Sequence, residues 1–333
     1  MGLDEAAAKP HKRMAERLSV DLDAVGALIA ERMASEHAPR IPEVTAHLVG
    51  AGGKRIRPML TLASARMLGY AGDNHIRLAA TVEFIHTATL LHDDVVDESR
   101  QRRGRPTANL LWDNQSSVLV GDYLFARAFQ LMVETGSIEV LGILSNAAAT
   151  IAEGEVLQLT AARNLSTTEA TYLQIVRGKT AALFAAACEV GGVISGAAPA
   201  VSTALRTYGD ALGIAFQIAD DLLDYSGDTE ATGKNVGDDF REGKLTLPVI
   251  KAIAKADDAE RAFWTKAIAK GAAEEADLDR AKAILARHGT IEATKSEAFD
   301  WAAKARNALA ELPENDIRSM LLDLADYVVE RIR

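Results

Sequence analysis

A single cysteine, Cys188, occurs in 333 residues, so no disulfide framework exists and a reducing, cytoplasmic setting is expected. Its Ala-rich apolar neighbours mark the thiol as a small core residue. Prolines number only 8, while Ala, Leu, Glu and Lys are abundant and keep their rotamer freedom in a helix. The expected class is therefore all-α. Positive charge is also in deficit: the formal net charge of −10 leaves no general basic face for a phosphate backbone, which excludes nucleic acid as the main partner. Residues 1–17 contain no apolar h-region, so no secretory signal is expected. The segment 180–201 is long enough to span a membrane, but Glu189, Gly191-Gly192, Gly196 and Pro199 interrupt it. It reads as a buried helix ending at the glycine pair, and no transmembrane segment is expected. Neither a solenoid repeat nor a linker is visible. With 48% hydrophobic residues, residues 1–333 read as a single all-helical domain with a large core.

Against this background, two acidic clusters stand out. The stretch Leu90-Leu91-His92-Asp93-Asp94-Val95-Val96-Asp97 has its D-D-x-x-D spacing repeated in Ile218-Ala219-Asp220-Asp221-Leu222-Leu223-Asp224. On a helix, the first and last aspartates of each cluster share a face and repel one another. Apolar flanks on both sides imply that something cationic compensates. Mg²⁺ fits, because it takes one or two carboxylates together with the phosphates of a substrate. A solvated helix end is the plainer reading of one such cluster, and the second copy argues against it.

Basic segments accompany the clusters. Gly52-Gly53-Lys54-Arg55-Ile56-Arg57-Pro58 places open backbone N–H groups and three cations just before a new helix, an arrangement suited to diphosphate; a plain basic loop between helices is the alternative. Arg100-Gln101-Arg102-Arg103-Gly104-Arg105 forms a second basic loop directly after the first acidic helix. Further on, Arg177-Gly178-Lys179-Thr180 interrupts an apolar run with a lysine and a helix-weakening glycine, which suggests a kink facing a ligand. The polar stretch after Ser226 holds Lys234 and Lys244 and is expected to fold back over the metal site. Helices are expected over about 42–49, 58–68, 76–94, 117–134, 138–159, 168–189 and from 200 into the second cluster. Amphipathic helices of structural character are expected over 245–333.

Taken in order, these pieces resemble the trans-polyprenyl diphosphate synthases, and within them the long-chain bacterial octaprenyl or decaprenyl type. The resemblance rests on Gly52 to Pro58, Asp93 to Asp97 with Arg102-Arg103-Gly104, Lys179-Thr180, Phe216-Gln217 with Asp220 to Asp224, Gly233-Lys234-Asn235 and Glu242-Gly243-Lys244. It implies an isoprenoid-synthase fold, a bundle of antiparallel helices around a deep cavity, acting as a homodimer. It also implies head-to-tail condensation of isopentenyl diphosphate with an allylic diphosphate primer, yielding a long all-trans product of the quinone side-chain kind.

The resemblance further implies that Asp93, Asp94, Asp97, Asp220, Asp221 and Asp224 hold Mg²⁺, three ions per active site with substrate bound. Arg102, Lys179 and Lys234, with Thr180, Gln217 and Lys244, are the implied allylic-site residues. Lys54, Arg57, His86 and Arg103 are the implied isopentenyl diphosphate pocket, although His86 also reads as an ordinary core histidine. Arg331-Ile332-Arg333 resembles a basic tail that helps to close the site. The resemblance also implies that the released diphosphate removes the final proton; no separate strong protein base is evident in the sequence.

Product length is expected to depend on Ala88 and Thr89, about one helical turn before Asp93. Bulky aromatics there stop elongation in short-chain relatives, and Ala88 leaves the path open. Phe84, Leu131 and Met132 are candidates for a lower floor and equally for ordinary core. The competing readings are a farnesyl or geranylgeranyl synthase, a non-catalytic subunit of a heteromeric synthase, and a Ca²⁺-binding helical protein. The last lacks the D-x-D-x-D-G loop pattern.

Overall fold

The computed structural model describes residues 9–50, 52–226, 237–274 and 276–332. Its helices begin with α1 (Pro10–Arg17), α2 (Ser19–Met33), α3 (Arg40–Gly50), α4 (Ile56–Met67) and α5 (Asn74–Val96). After α5 comes a small antiparallel hairpin, β1 (Gln101–Arg102) with β2 (Arg105–Pro106), paired in the register Gln101 with Pro106. There follow α6 (Ala108–Leu111), α7 (Asn114–Glu134), α8 (Ile138–Ala161) and α9 (Glu169–Val176). A π-helical turn, Arg177–Ala181, leads into α10 (Ala182–Ile194) and α11 (Pro199–Ser226). The C-terminal part holds α12 (Asp238–Arg241), α13 (Leu247–Lys255), α14 (Asp258–Trp264) with a π-turn (Thr265–Ala269), α15 (Asp277–Arg287), α16 (Thr290–Ala308) and α17 (Asp316–Glu330).

The chain forms two compact units. One takes in residues up to Ala148, Leu183–Gly209 and Ala308–Leu324; the other takes in Ala149–Ala182, Asp210–Asn307 and the C-terminal residues from Ala325. In the first unit α4 is buried almost all round, with only Arg57 and Arg66 partly exposed. A helix buried on nearly every side belongs at the centre of a core. Alongside it, α5 buries Leu78, Phe84, Ile85, Ala88 and Leu91 and packs along α7. Asp113 caps α7 by accepting the Ser116 backbone N–H at 2.5 Å, satisfying one of the orphan donors of the first turn.

The second unit has its own core, built on Tyr225, Phe240, Val249, Phe263, Trp264, Ile268 and Leu285. Phe263 and Trp264 approach with ring centroids 5.0 Å apart. Asp257 and Glu260 form a capping box at the start of α14.

Two local expectations change. Helix α10 does not stop at Gly191-Gly192 but runs to Ile194. A Cβ at Gly191 would stand 2.6 Å from the Ser64 Cβ, so this glycine permits a close approach to α4 rather than ending the helix. The basic stretch 100–105 is a hairpin, with Arg103 (φ 53°) and Gly104 (φ 74°) both left-handed at its turn, as a two-residue hairpin turn requires. Cys188 is fully buried beside Ser64, and burial pushes its thiol up to about 12, in keeping with a core role.

Candidate active site

In the first unit, α5 ends at Val96 and the Asp97 backbone N–H closes the helix on the Asp93 C=O at 2.8 Å. Three carboxylates therefore crowd the C-terminal end of a helix, where the backbone already carries partial negative charge. Asp93 and Asp97 are half-buried, whereas Asp94 is completely buried. Arg102, on the hairpin, donates to Asp94 Oδ1 from Nε at 2.9 Å, with Nη2 2.7 Å from the same oxygen. The other oxygen, Oδ2, has no hydrogen-bond partner among the described residues. Burial raises the Asp94 pKa, and Arg102 opposes that shift.

The two basic segments meet in the same unit. Arg103 donates to the Gly52 C=O and fills the space beside Gly53, where a Cβ would lie 2.7 Å from its Nη1. Behind it, Arg57 Nη1 lies 3.2 Å from His86 Nε2, and its guanidinium stacks 4.6 Å from the Phe184 ring centroid. Burial pushes Arg57 down to about 10 and, with Arg57 and Arg103 adding repulsion, drives His86 well below its ordinary value. His86 is therefore neutral and accepts the Arg57 N–H. Glu83, three residues earlier on α5, has its pKa raised by burial against the pull of Arg57, Arg55 and Arg103. Lys54 is exposed in the adjoining loop. The balance of this cluster is cationic, which suits an anion.

In the second unit, a hydrogen-bonded chain runs from Thr180 Oγ1 to Gln217 Oε1 (2.9 Å) and from Gln217 Nε2 to Asp221 Oδ1 (2.8 Å). Tyr172 donates its hydroxyl to Asp221 Oδ2 at 2.7 Å. Both oxygens of Asp221 are thus occupied, yet burial and the neighbouring Asp239 and Asp220 push it up to about 8. Asp224 accepts three backbone N–H groups, from Gly237 (3.2 Å), Asp238 (3.1 Å) and Asp239 (3.1 Å), at the start of α12. Asp220 is half-buried, 3.7 Å from Arg331 Nη1. Arg331 also donates to the Phe216 C=O at 3.1 Å. Lys179 donates to Glu155 at 2.8 Å, and Lys244 lies 2.5 Å from Glu242 and 3.9 Å from Asp239.

With this geometry in place, comparison with known proteins is decisive. Residues 38–285 match the family described as polyprenyl synthetase. The chain belongs to the polyprenyl synthetase family. It is 44% identical over 322 residues to the octaprenyl diphosphate synthase of Escherichia coli, covering 97% of this chain and 99% of that one. Among solved structures it is similar to a decaprenyl diphosphate synthase from Rhodobacter capsulatus, with 69% identity, a TM-score of 0.94, and coverage of 97% of this chain and 99% of the other. It is also similar to a polyprenyl synthase from Caulobacter crescentus complexed with calcium and isoprenyl diphosphate, at 53% identity and a TM-score of 0.91, covering 96% and 97% of the two chains. The fold is that of the isoprenoid synthases.

Family enzymes use Mg²⁺. Among the described residues no three His, Cys, Asp or Glu side chains gather tightly enough to hold a metal alone, but Mg²⁺ takes only one or two carboxylates, with phosphate and water supplying the rest. The orphaned buried oxygen of Asp94 is a hard donor of the right kind, so the residues present fit the ion. Within each unit, several of the residues expected from the sequence come together. In the first, Arg57, His86 and Arg103 cluster while Arg102 joins Asp94; in the second, Thr180 and Gln217 join Asp221. Lys234, with Gly233 and Asn235, lies outside the described residues, as does Arg333. Ala88 is fully buried on α5 and Thr89 half-buried, its hydroxyl donating to the His86 C=O at 2.8 Å. Phe84, Leu131 and Met132 are buried.

Sequence reasoning noted Glu83 beside His86 but gave it no role, and overlooked Tyr172 and Glu155. Glu83 had a usable signal, lying one helical turn before His86. Tyr172 and Glu155 had none, since their partners lie 49 and 24 residues away in the chain.

Proposed function

We propose that the chain is a long-chain trans-polyprenyl diphosphate synthase, extending an allylic diphosphate with isopentenyl diphosphate to a product of C40 to C50 length. The observation that carries this reading is the pairing of each intact aspartate cluster with its own cations and donors, in a chain similar to octaprenyl and decaprenyl diphosphate synthases over nearly its whole length. Ala88 supports the long product, because its small buried side chain leaves α5 without an aromatic stop one turn before Asp93.

Ionisation of the allylic C1–O bond leaves a carbocation and a diphosphate whose negative charge grows as the bond lengthens. Asp93, Asp94 and Asp97, and Asp220, Asp221 and Asp224, would hold Mg²⁺, three ions with substrate bound, which would supply Lewis-acid neutralisation of that charge. Arg102, Lys179, Lys234 and Lys244 add cationic stabilisation of the same developing charge, and Thr180 and Gln217 hold the second cluster in register. Lys54, Arg57 and Arg103, with neutral His86, bind the diphosphate of isopentenyl diphosphate. Its double bond attacks the cation, and loss of a proton to the released diphosphate regenerates an allylic product ready for the next round. Exclusion of water protects the cation from quenching.

The working form is a homodimer. Exposed apolar side chains at Val118, Leu119, Phe129 and Val133 form a stripe along α7, with Leu110 and Leu111 of α6 exposed just before it, and a stripe of this kind suits a self-complementary contact. Among the described residues, α8 is the one helix long and apolar enough to cross a membrane, and 28% of its most apolar window is buried. Purified protein given Mg²⁺, isopentenyl diphosphate and an allylic primer should yield octaprenyl to decaprenyl diphosphate by mass spectrometry. A farnesyl or geranylgeranyl product would replace the long-chain reading with the short-chain one, and absence of turnover by the protein alone would favour a subunit that needs a partner.

A further inference from the structure

An ion pair in the second unit has a second partner that the family motifs do not include. Glu155, on α8, accepts from Lys179 Nζ at 2.8 Å, and the two side chains are only 23% and 26% exposed. The remaining oxygen, Oε1, is buried and bonds to no donor among the described residues. This is not a pair of long side chains meeting by chance on a surface, because the backbones that carry them are in contact. A Cβ at Gly154 would lie 2.7 Å from the Lys179 backbone nitrogen, and one at Gly178 would lie 2.8 Å from the Gly154 Cα and 3.0 Å from the Thr150 carbonyl oxygen. Each glycine directly precedes one of the ionic partners, so α8 and the π-turn are locked at the very step where the charges meet.

The π-turn adds a residue to the helix at Arg177–Ala181 and thereby re-aims Lys179 relative to a continuous α-helix. On the next residue, Thr180 is fastened to Gln217 at 2.9 Å. Lys179 thus has a fixed backbone, a hydrogen-bonded neighbour and a carboxylate that holds its ammonium.

We infer that Glu155 is a positioning residue for the condensation, fixing the Lys179 ammonium where the allylic diphosphate meets it. The inference rests on the synthase reading above. A lysine has many rotamers, and ordering one at the moment of ionisation would cost rate; a carboxylate that orders it beforehand removes that cost from the reaction step. Glu155 acts through Lys179, from whose ammonium it accepts.

Steady-state kinetics of the purified full chain with Mg²⁺, varying the allylic primer and isopentenyl diphosphate separately, tests this. Glu155→Ala should lower kcat/KM for the primer by about 10- to 100-fold, with KM for isopentenyl diphosphate within about twofold of the parent. Glu155→Gln keeps an oxygen that accepts from the ammonium and should recover to within about fivefold. In a Lys179→Ala background, adding Glu155→Ala should cost less than about twofold more, because the two residues act as one unit. A Glu155→Ala variant within twofold of the parent would overturn the inference. So would a full further loss in the Lys179→Ala background, or equal losses for both substrates. Should Glu155→Ala fail to fold, Glu155→Gln paired with Lys179→Ala still reads the coupling. Absence of turnover in the parent protein is a different result, and it overturns the synthase reading itself.

Discussion

The two aspartate clusters have the same spacing and a shared pattern of burial, yet the protein treats them differently. In each, the middle aspartate is buried and the outer two are half-buried. At the first, Asp94 is held on one oxygen by a charged partner, Arg102, and keeps the other without a donor. At the second, Asp221 is held on both oxygens by neutral groups, Tyr172 and Gln217, and Asp224 is taken up by three backbone N–H groups. The first cluster ends a helix, at the terminus that repels anions; the second lies in the last turns of α11, and its final carboxylate faces the favourable start of α12. The contrast shows that equal spacing does not mean equal duty. The first cluster keeps a buried oxygen with no described donor to offer a cation, while Asp221 and Asp224 must share their oxygens between a cation and the groups that already hold them.

The largest effect that could break this comparison is loss of the uncommitted oxygen. Asp94→Asn should lower kcat by about 10²- to 10³-fold, as removal of a group that stabilises developing charge does, and Asp221→Asn should cost about tenfold less. Equal losses in a primer-saturated assay would put the two clusters on the same footing. Product analysis sharpens the comparison further, since only the first cluster's helix is assigned a role in length. Ala88→Phe should shorten the product by several isoprene units, whereas Asp221→Asn should slow the enzyme without altering the product distribution. An unchanged product from Ala88→Phe would count against the assignment of α5 as the wall of the growing chain.

Much of this was legible from sequence because it is local. Helical composition, the start of α11 near residue 200 and the acidic spacing are all written within a few residues of one another. The interruption at Gly178 was legible too, although its cause was not. The π-turn is there, but the glycine answers to Gly154 across a helix contact, which no local pattern reveals. The same holds for Gly191, read as a stop and found inside α10 because Ser64 lies against it. The hairpin at 101–106 was hidden by its three arginines and the adjoining Arg100, whose charge suggested a loop. Its left-handed Arg103 is held in place by Gly52 and Gly53, about fifty residues earlier. Which donor satisfies which carboxylate is likewise a property of the folded chain.

A smaller effect is expected at Asp224. Asparagine there keeps one acceptor for Gly237 and Asp238 but turns its amide N–H₂ toward the Asp239 N–H, donor against donor. The hydrogen bond to a charged acceptor that is lost contributes about 1.5 to 3 kcal/mol, so Asp224→Asn should lower Tm by several degrees. Activity should fall less than in Asp94→Asn when both are measured below the Tm of the weaker variant. A loss of activity as large as that of Asp94→Asn, with Tm unchanged, would mean that the part Asp224 plays toward the cation outweighs its part in holding α12.

The smallest change is also the most specific. Tyr172 is buried and its hydroxyl donates to the buried Asp221 Oδ2. Tyr172→Phe keeps the ring and its packing but leaves that oxygen without a donor, at a cost of about 1 to 3 kcal/mol for an unsatisfied buried acceptor. Losing this donor also pushes the Asp221 pKa further up, because the hydroxyl's bond is one of the two that hold it down against burial. The variant should therefore unfold a few degrees earlier in thermal denaturation while kcat stays within a few-fold of the parent, since the hydroxyl acts through Asp221. If instead Tm held and kcat collapsed, Asp221 would have to meet the substrate's charge as directly as Asp94, and the division of duties between the clusters would fail.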